Sequence, residues 1–270
     1  PAGTNTAVGQ MWTRQGKIGG ALECDGTDDY VDAGNGASLN MTTGLTISAW
    51  IKRTTTTSYG HPVVRPATDN TWTTPYVSYG LEYEASTDNI IFILGYADNN
   101  YNYTIGATPG NNVWFHVVGT YDGVNRKIYI NGIQKQSVSE TRTLKSTTAK
   151  LYMGIENTLM AYRFNGFIDD VRIYDYARTA DQILGDYNGG AAVRLGSWRA
   201  GELDPWGGNP PVGYWTMDEA SGQYSYDRSG SGNNGTLGST TGSDANDPTW
   251  TSAGKNGGAL SSPLRACLVY

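Results

Sequence analysis

Short runs of alternating apolar and polar residues recur along the chain, separated by clusters rich in glycine and asparagine. From Gly44 to Lys52, Leu, Ile, Ala and Ile fall on one face, while Thr, Ser and Trp fall on the other. This alternation predicts a half-buried β-strand, because successive side chains of a strand point to opposite faces. Further runs that predict strands lie at 76–84, 90–96, 113–121, 126–138, 150–155 and 164–174.

Two local signals refine this pattern. Asn131-Gly132 interrupts one run, and it predicts a tight hairpin because both residue types accept a positive φ. Thr179 and Gln182 have capping-box spacing, which predicts one short helix that extends toward Tyr187. We therefore predict an all-β fold, in which two antiparallel sheets form a jelly-roll β-sandwich with a single short helix.

Composition narrows the range of functions. The 270 residues carry a net charge of −6, which excludes the basic surface of a nucleic-acid-binding protein. The longest apolar run, Ile90 to Leu94, is too short to cross a bilayer, so we expect no membrane insertion. Charged residues make up only 16%, and 36 Gly, 19 Tyr and 8 Trp enrich the chain instead. A surface of hydroxyls, amides and aromatic rings is typical of secreted β proteins that meet sugars.

Cysteine and histidine are scarce. Cys24 and Cys267 cannot form a disulfide framework, and Cys24 lies in an apolar strand pattern that predicts burial. With only His61 and His116, a His/Cys zinc cluster is excluded. No signal peptide is present and the chain opens on Pro1, so we expect a processed or excised piece of a secreted or cell-surface protein.

An internal repeat divides the chain. Residues 250–260 match residues 12–22 at eight of eleven positions, and the match stops after Leu260. Between them, glycine- and proline-rich sequence at 189–212 is typical of a linker. We predict a first domain at 1–188 and the start of a second repeat at 213–270, in which the residues after Leu260 do not continue the repeat.

Four segments in order resemble a known family. They are Gly19-Gly20-Ala21-Leu22-Glu23-Cys24-Asp25-Gly26-Thr27-Asp28-Asp29-Tyr30-Val31, Leu45–Ile51, Trp114–Gly123 and Gly166–Ala177. The chain resembles the laminin-G-like (concanavalin A-like lectin/glucanase) jelly-roll domains that occur in tandem in large secreted bacterial proteins. It departs from that pattern at Cys24, where the family has an aromatic residue.

The resemblance also implies that the first unit lacks its opening strand and the Asp-x-Ser-Gly-x-Gly-Asn loop. The second repeat supplies both, at Tyr214–Glu219 and Asp227–Gly235. An unpaired sheet edge can be satisfied by a strand of matching pattern. We therefore predict that 213–237 docks onto the first unit, either by circular permutation or by exchange in a strand-swapped homodimer.

Catalytic signals are sparse. The glucanase signature Glu-x-Asp-x-x-Glu is absent, and the nearest alternative is the pair Glu82 and Glu84 on one strand face. Neither Gly-x-Ser-x-Gly nor a plausible histidine base is present, which leaves no Ser-His-Asp site. His116 is interpreted as a hydrogen-bonded core residue, and His61 as a loop residue without a partner.

The family resemblance implies a structural or functional Ca²⁺, which prefers several oxygen ligands. The candidates are carboxylates and one amide in turns and in the closing strand, namely Asp25, Asp29, Asp169, Asp227 and Asn233. Asp169 shares the alternation of Phe167, Val171 and Ile173, where a carboxylate needs compensation. The Asp-rich turns also have a simpler interpretation, since Asp and Gly are ordinary turn formers.

Aromatic residues are the second functional signal, because the C–H faces of sugars lie against aromatic rings. The candidates are one strand pair and several residues assigned to loops: Tyr79, Tyr83, Trp72, Tyr96, Tyr101 and Tyr103. The alternative is that tyrosine is simply a good strand residue.

Three functions remain open from the sequence. The favoured one is a non-catalytic, Ca²⁺-dependent carbohydrate-recognition module. The second is a hydrolase, which is either a metal-assisted esterase or phosphoesterase or a glycosidase that uses Glu82 and Glu84. The third is an adhesive repeat without a ligand.

Overall fold

The computed structural model describes residues 12–13, 17, 21–27, 29–55, 59–69, 73–85, 87, 89–156, 162–188, 210–216, 224–237, 250–251 and 259–260. The strands in chain order are β1 (Trp12–Thr13), β2 (Ala21–Asp25), β3 (Val31–Asp32), β4 (Leu45–Arg53), β5 (Gly60–Pro66), β6 (Val77–Tyr83), β7 (Asn89–Gly95), β8 (Tyr101–Ala107), β9 (Phe115–Tyr121), β10 (Asn125–Ile130), β11 (Ile133–Ser139), β12 (Tyr152–Met153), β13 (Asn165–Tyr174), β14 (Gly213–Trp215), β15 (Tyr224–Ser225), β16 (Gly235–Leu237), β17 (Trp250–Thr251) and β18 (Ala259–Leu260). The helix α1 spans Ala180–Tyr187, and a single 3-10 turn spans Ala37–Leu39.

Two eight-stranded sheets form the sandwich. The first has the order β1-β2-β13-β4-β9-β10-β11, with β14 also paired to β13. The second has the order β15-β16-β3-β12-β5-β6-β7-β8. The ladders that join these strands are antiparallel, for example Leu45↔Tyr121 between β4 and β9. The predicted antiparallel sandwich is confirmed, and the described residues contain the one predicted α-helix.

The hydrophobic core lies between the sheets and follows the period-two alternation. On β4 the inward residues are Leu45, Ile47, Ala49 and Ile51, all fully buried. Gly119 on β9 faces Phe92 on β7, where an added Cβ would lie 2.3 Å from the ring. The missing side chain therefore lets the two sheets approach closely at this point.

The local signals are confirmed. Ile130 pairs with Ile133, which leaves Asn131 and Gly132 as a two-residue turn with φ of 53° and 77°. The hydroxyl of Thr179 accepts a hydrogen bond from the Gln182 backbone N–H, and the Gln182 side chain accepts from the Thr179 N–H. These reciprocal bonds satisfy N–H groups that the helix itself cannot.

Residues that follow the glycine- and proline-rich sequence pair with strands formed earlier in the chain. In β14, Tyr214 and Trp215 lie opposite Arg172 and Val171 of β13, and β16 pairs with β3. Trp215 is fully buried in the main core, and its indole N–H donates to the Asn233 carbonyl at 2.9 Å. The two copies of the repeated sequence also pair alike, since β17 and β18 pair in the register of β1 and β2.

Two segments that the sequence assigned to loops are strands. His61 lies in β5 despite Pro62, and the ladder to β6 skips register between Gly60 and Val63 at this point. A proline cannot donate to a ladder, so an interrupted register accommodates it. Tyr101 and Tyr103 lie on β8, which pairs along its length with β7.

Candidate functional site

A pocket of about 380 Å³ opens on the outer face of the second sheet, on the side away from the core. Alternation explains its floor: on β7, Ile90, Phe92 and Leu94 point into the core, while Ile91 and Ile93 point into the pocket. Tyrosines and carboxylates form most of the remaining wall. We call it the tyrosine pocket, defined by Tyr59, His61, Tyr76, Val77, Glu82, Glu84, Ile91, Ile93, Tyr101, Tyr103, Glu156 and Tyr162.

The tyrosines form two edge-to-face pairs. Tyr59 and Tyr162 have ring centroids 5.3 Å apart, and so do Tyr76 and Tyr101. Tyr101 and Tyr103 are 41% and 39% exposed, so both keep ring surface accessible to a ligand. Paired rings restrain one another, which lowers the entropy lost when a ligand contacts them.

Two of these tyrosines have an uncommon backbone conformation. Tyr76 has a φ of 63° and Tyr162 a φ of 49°. Bulky residues seldom adopt the left-handed region, which costs about 1 kcal/mol or more. Both rings nevertheless line the pocket, so the surrounding chain holds them there against this local preference.

Below the rings lies a group of titratable side chains that we call the pocket cluster: His61, Glu82 and Glu156. The Nε2 atom of His61 lies 3.1 Å from Oε2 of Glu82. Glu156 is 1% exposed, and within the described part of the chain its Oε2 has no hydrogen-bond partner. Glu84 is held separately, because its Oε2 accepts from the Asn89 amide at 2.9 Å and from the Thr87 hydroxyl at 3.2 Å.

The pocket cluster changes the protonation of its members. Burial raises the pKa of Glu156 to about 7, with His61 lowering it and Glu82 raising it further. Burial alone would lower the pKa of His61, but the attraction of Glu82, and after it of Glu156, leaves that pKa above its usual value. The pKa of Glu156 is thus shifted toward neutral pH, while the neighbouring carboxylates favour the charged form of His61.

A model of a known protein family matches more than half of the chain. A model for laminin-G-type domains, described as the concanavalin A-like lectin/glucanases superfamily, matches residues 25–184. The chain belongs to that superfamily. No curated protein matches the chain.

Solved structures with the same fold agree with this assignment. Domain 4 of AbnA, an extracellular arabinanase of Geobacillus stearothermophilus solved with arabinotriose, matches with a TM-score of 0.51 and 21% identity, over 67% of this chain and 85% of that one. A candidate carbohydrate-binding protein from Bacteroides ovatus matches with a TM-score of 0.57 and 17% identity, over 82% of this chain. The chain spans 58% of that second protein. At these identities the likeness shows the fold.

Of the predicted sugar-binding residues, the structure places Tyr101 and Tyr103 in the pocket and three others in the core. Tyr79, Tyr83 and Tyr96 are at most 1% exposed. The hydroxyl of Tyr79 donates to the Leu39 carbonyl at 2.9 Å. A ring without accessible surface offers no face to a sugar, so these three positions are corrected to core residues. Trp72 lies outside the described residues.

Both weak catalytic candidates, Glu82 and Glu84, do line the pocket. The sequence interpretation missed their neighbours: His61 has a partner in Glu82, and Glu156 belongs to no motif. His116, in contrast, is confirmed as a hydrogen-bonded core residue, with Nε2 2.8 Å from the Ser48 hydroxyl oxygen. Cys24 is confirmed as a buried free cysteine.

In the loop Asp227–Gly235, which we call the Asp227 loop, the Asp227 and Asn233 side chains make hydrogen bonds within the protein. Oδ1 of Asp227 accepts from the backbone N–H groups of Tyr214 and Ser229, and Oδ2 accepts from that of Asn233. The Asn233 amide donates to the Ser38 hydroxyl and to the Val212 carbonyl, both at 2.9 Å. Both predicted metal ligands in this loop therefore have a structural use.

The other predicted calcium ligands lie in turns and at a bulge. Asp29 accepts from the Asp25 backbone N–H at 2.9 Å, and Asp25 accepts from that of Thr27. Asp169 is fully buried, but a register shift between Asp169 and Arg172 moves it to the opposite face from Val171, which corrects the predicted alternation.

Among the described residues, no three His, Cys, Asp or Glu side chains are grouped to hold a metal ion. Calcium binding by Asp25, Asp29, Asp169, Asp227 and Asn233 stays a prediction from the sequence. Within the same part of the chain, no helix is long and apolar enough to cross a membrane.

Proposed function

We propose that this chain is a carbohydrate-binding module and that its ligand lies in the tyrosine pocket. The observation that carries the proposal is the pocket itself, in which partly exposed tyrosine rings surround an apolar floor and a few convergent carboxylates. Sugars present apolar C–H faces for such rings and hydroxyls for such carboxylates. Small-molecule sites generally combine aromatic walls with a few well-placed polar groups.

The ligands of similar structures support a carbohydrate. The arabinanase domain was solved with arabinotriose, and the Bacteroides protein is described as carbohydrate-binding. A pocket of about 380 Å³ accommodates two or three sugar rings at most, so we expect recognition of a short oligosaccharide or a chain end.

A glycan array, read once with Ca²⁺ and once with EDTA, tests the proposal and identifies the sugar class. Titration calorimetry on the best ligand then compares Tyr101→Ala with Tyr224→Ala. Tyr224 is a matched control, since it is 36% exposed but lies on β15 outside the pocket. We expect Tyr101→Ala to weaken binding at least about tenfold, equivalent to ~1.4 kcal/mol, and Tyr224→Ala to leave it unchanged. Equal effects would contradict the pocket as the site.

The Ca²⁺ dependence, the extracellular location and the strand-swapped dimer remain predictions from the sequence. The EDTA arm of the array checks the first, because a calcium-dependent lectin loses its hits there. Light scattering separates the two predicted alternatives, because a strand-swapped homodimer has twice the monomer mass and a circularly permuted chain has the monomer mass.

Glycoside hydrolysis is a second candidate, favoured by one observation. Burial raises the pKa of Glu156 to about 7, and Glu82 and Glu84 lie in the same pocket. Glycosidases use such a pair, in which one carboxylic acid protonates the leaving oxygen and one carboxylate acts as base or nucleophile. Product analysis after prolonged incubation with array ligands would show shortened oligosaccharides, and Glu82→Ala would abolish only that activity.

A further inference from the structure

The charges around the tyrosine pocket are unbalanced. Its lining residues include three carboxylates, from Glu82, Glu84 and Glu156, and one histidine. Within the described residues, neither a lysine nor an arginine lines it. The site therefore presents negative charge to whatever enters, and a desolvated ligand of like charge would be repelled.

Two of the three carboxylates already have partners. Glu82 lies 3.1 Å from the His61 ring, and Glu84 accepts hydrogen bonds from Asn89 and Thr87 on its own turn. Glu156 remains: it is 1% exposed, it lines the pocket, and its Oε2 lacks a hydrogen-bond partner among the described residues. An unmet buried acceptor is costly, so its natural complement is a donor supplied by the ligand.

The surrounding rings favour the same kind of donor. Tyr59, Tyr76, Tyr101 and Tyr162 line the pocket. An aromatic face attracts a cation within about 6 Å of its centroid, and the attraction grows where water is excluded. A positively charged group in this pocket would favour the ionised form of Glu156, whose pKa burial otherwise raises to about 7, and would also meet the negative faces of the rings.

We propose that the tyrosine pocket is specific for amino sugars, and that Glu156 accepts a hydrogen bond from the free ammonium group of a 2-amino-2-deoxyhexose unit. This inference rests on the proposed carbohydrate binding and adds the ligand's charge to it. Acidic glycans, such as sialylated or uronate-containing chains, are excluded by the same carboxylates. N-acetylation removes the charge of the amine and adds bulk, so it weakens binding.

Titration calorimetry at pH 7 with matched tetrasaccharides tests the inference. The probes are tetra-glucosamine, tetra-N-acetylglucosamine and tetra-galacturonate. We expect tetra-glucosamine to bind at least about tenfold more tightly than its N-acetylated form, and tetra-galacturonate not to bind. Equal or tighter binding of the N-acetylated or acidic probe would overturn the inference.

Glu156→Gln isolates the charge, because it keeps the shape of the side chain. We expect this variant to lose the preference for tetra-glucosamine, so that both glucosamine probes bind within about twofold of one another. A preference retained in the variant would overturn the role of Glu156. A melting curve close to that of the wild type shows that the variant is folded, and Tyr224→Ala serves as a second folded control that retains the preference.

Failure of the inference and failure of the proposed function give different results. If a neutral glycan binds in the array and Tyr101→Ala abolishes that binding, the proposed function stands while the amino-sugar specificity is refuted. If no glycan binds in any arm, both are refuted.

Discussion

Two largely buried groups of charged residues differ in their balance of positive and negative charge. The first is the pocket cluster of His61, Glu82 and Glu156. The second, which we call the helix cluster, consists of Asp170, Arg172, Arg178 and Asp186, beside α1.

In the helix cluster, each carboxylate has an arginine partner. Arg172 lies 2.7 Å from Asp170 and 3.1 Å from Asp186, and Arg178 lies 2.9 Å from Asp186. The pocket cluster instead sets two carboxylates against one histidine and opens into a pocket. Burial of charge alone therefore does not mark a functional site. We propose that the imbalance does, because it leaves Glu156 Oε2 without a hydrogen-bond partner among the described residues.

Removal of one arginine from the helix cluster should have the largest effect on the free energy of unfolding. Arg172→Met leaves Asp170 and part of Asp186 buried without their cation, and we expect a loss of about 3 kcal/mol in the free energy of unfolding. Urea denaturation measures this loss. The exposed pair Lys127 and Asp122, 3.4 Å apart, supplies the control: Lys127→Met should cost at most about 0.5 kcal/mol. A similar small cost for Arg172→Met would contradict the difference between buried and exposed pairs.

In the pocket cluster, removal of the Glu156 charge should raise the free energy of unfolding, whereas in the helix cluster removal of one charge lowers it. The folded-state pKa of Glu156 lies near 7 and above its ordinary value, so the fold loses stability as pH rises through 7 and Glu156 ionises. Glu156→Gln should therefore stabilise the protein by about 1–2 kcal/mol at pH 8.5 and have little effect at pH 5. Urea melts at both pH values measure this. Destabilisation at pH 8.5 would show that the carboxylate is compensated within the fold.

His61→Gln removes the one cation of the pocket cluster and should cost about 1 kcal/mol near pH 6. Because Glu82 raises the folded-state pKa of His61, its contribution is complete below the ordinary histidine pKa and disappears as pH rises through the raised value. The cost of the substitution should accordingly shrink by pH 9. A cost that does not change with pH would mean that His61 is neutral in the folded protein.

The smallest expected effect is a difference in pKa between the two histidines, which NMR measures directly. Burial, followed by repulsion from Arg172 and Arg178, lowers the pKa of His116 to about 3, whereas that of His61 is raised. An NMR titration of imidazole resonances between pH 5 and 8 should show His116 neutral throughout and His61 still charged above its ordinary pKa. Titration of both near their ordinary value would refute the contrast.

Local sequence signals predicted much of the fold. The Asn131-Gly132 hairpin and the Thr179 cap depend on neighbours a few residues away, so the sequence alone specifies them. The strand β5 was missed because Pro62 is normally a strand breaker, and only the interrupted ladder to β6 shows how the fold accommodates it.

The site was only partly predictable. Alternation showed that Tyr79 and Tyr83 share a face, but not that this face is the core, because Ile91 and Ile93 make the outer face of the sheet apolar as well. No motif or alternation in the sequence indicated that Glu156 is buried, because its burial results from packing between segments distant in the chain. Tyr59, Tyr76 and Tyr162 likewise come together only in the folded protein.

The central claim, that carbohydrate binds in the tyrosine pocket, is tested most directly by a crystal structure of the protein with the oligosaccharide that binds most tightly on the array. The account predicts a sugar ring against Tyr101 or Tyr103, with a polar group of the sugar within hydrogen-bond distance of Glu156 Oε2. A sugar bound on another surface, such as the Asp227 loop, would contradict it, and so would an array without any hit.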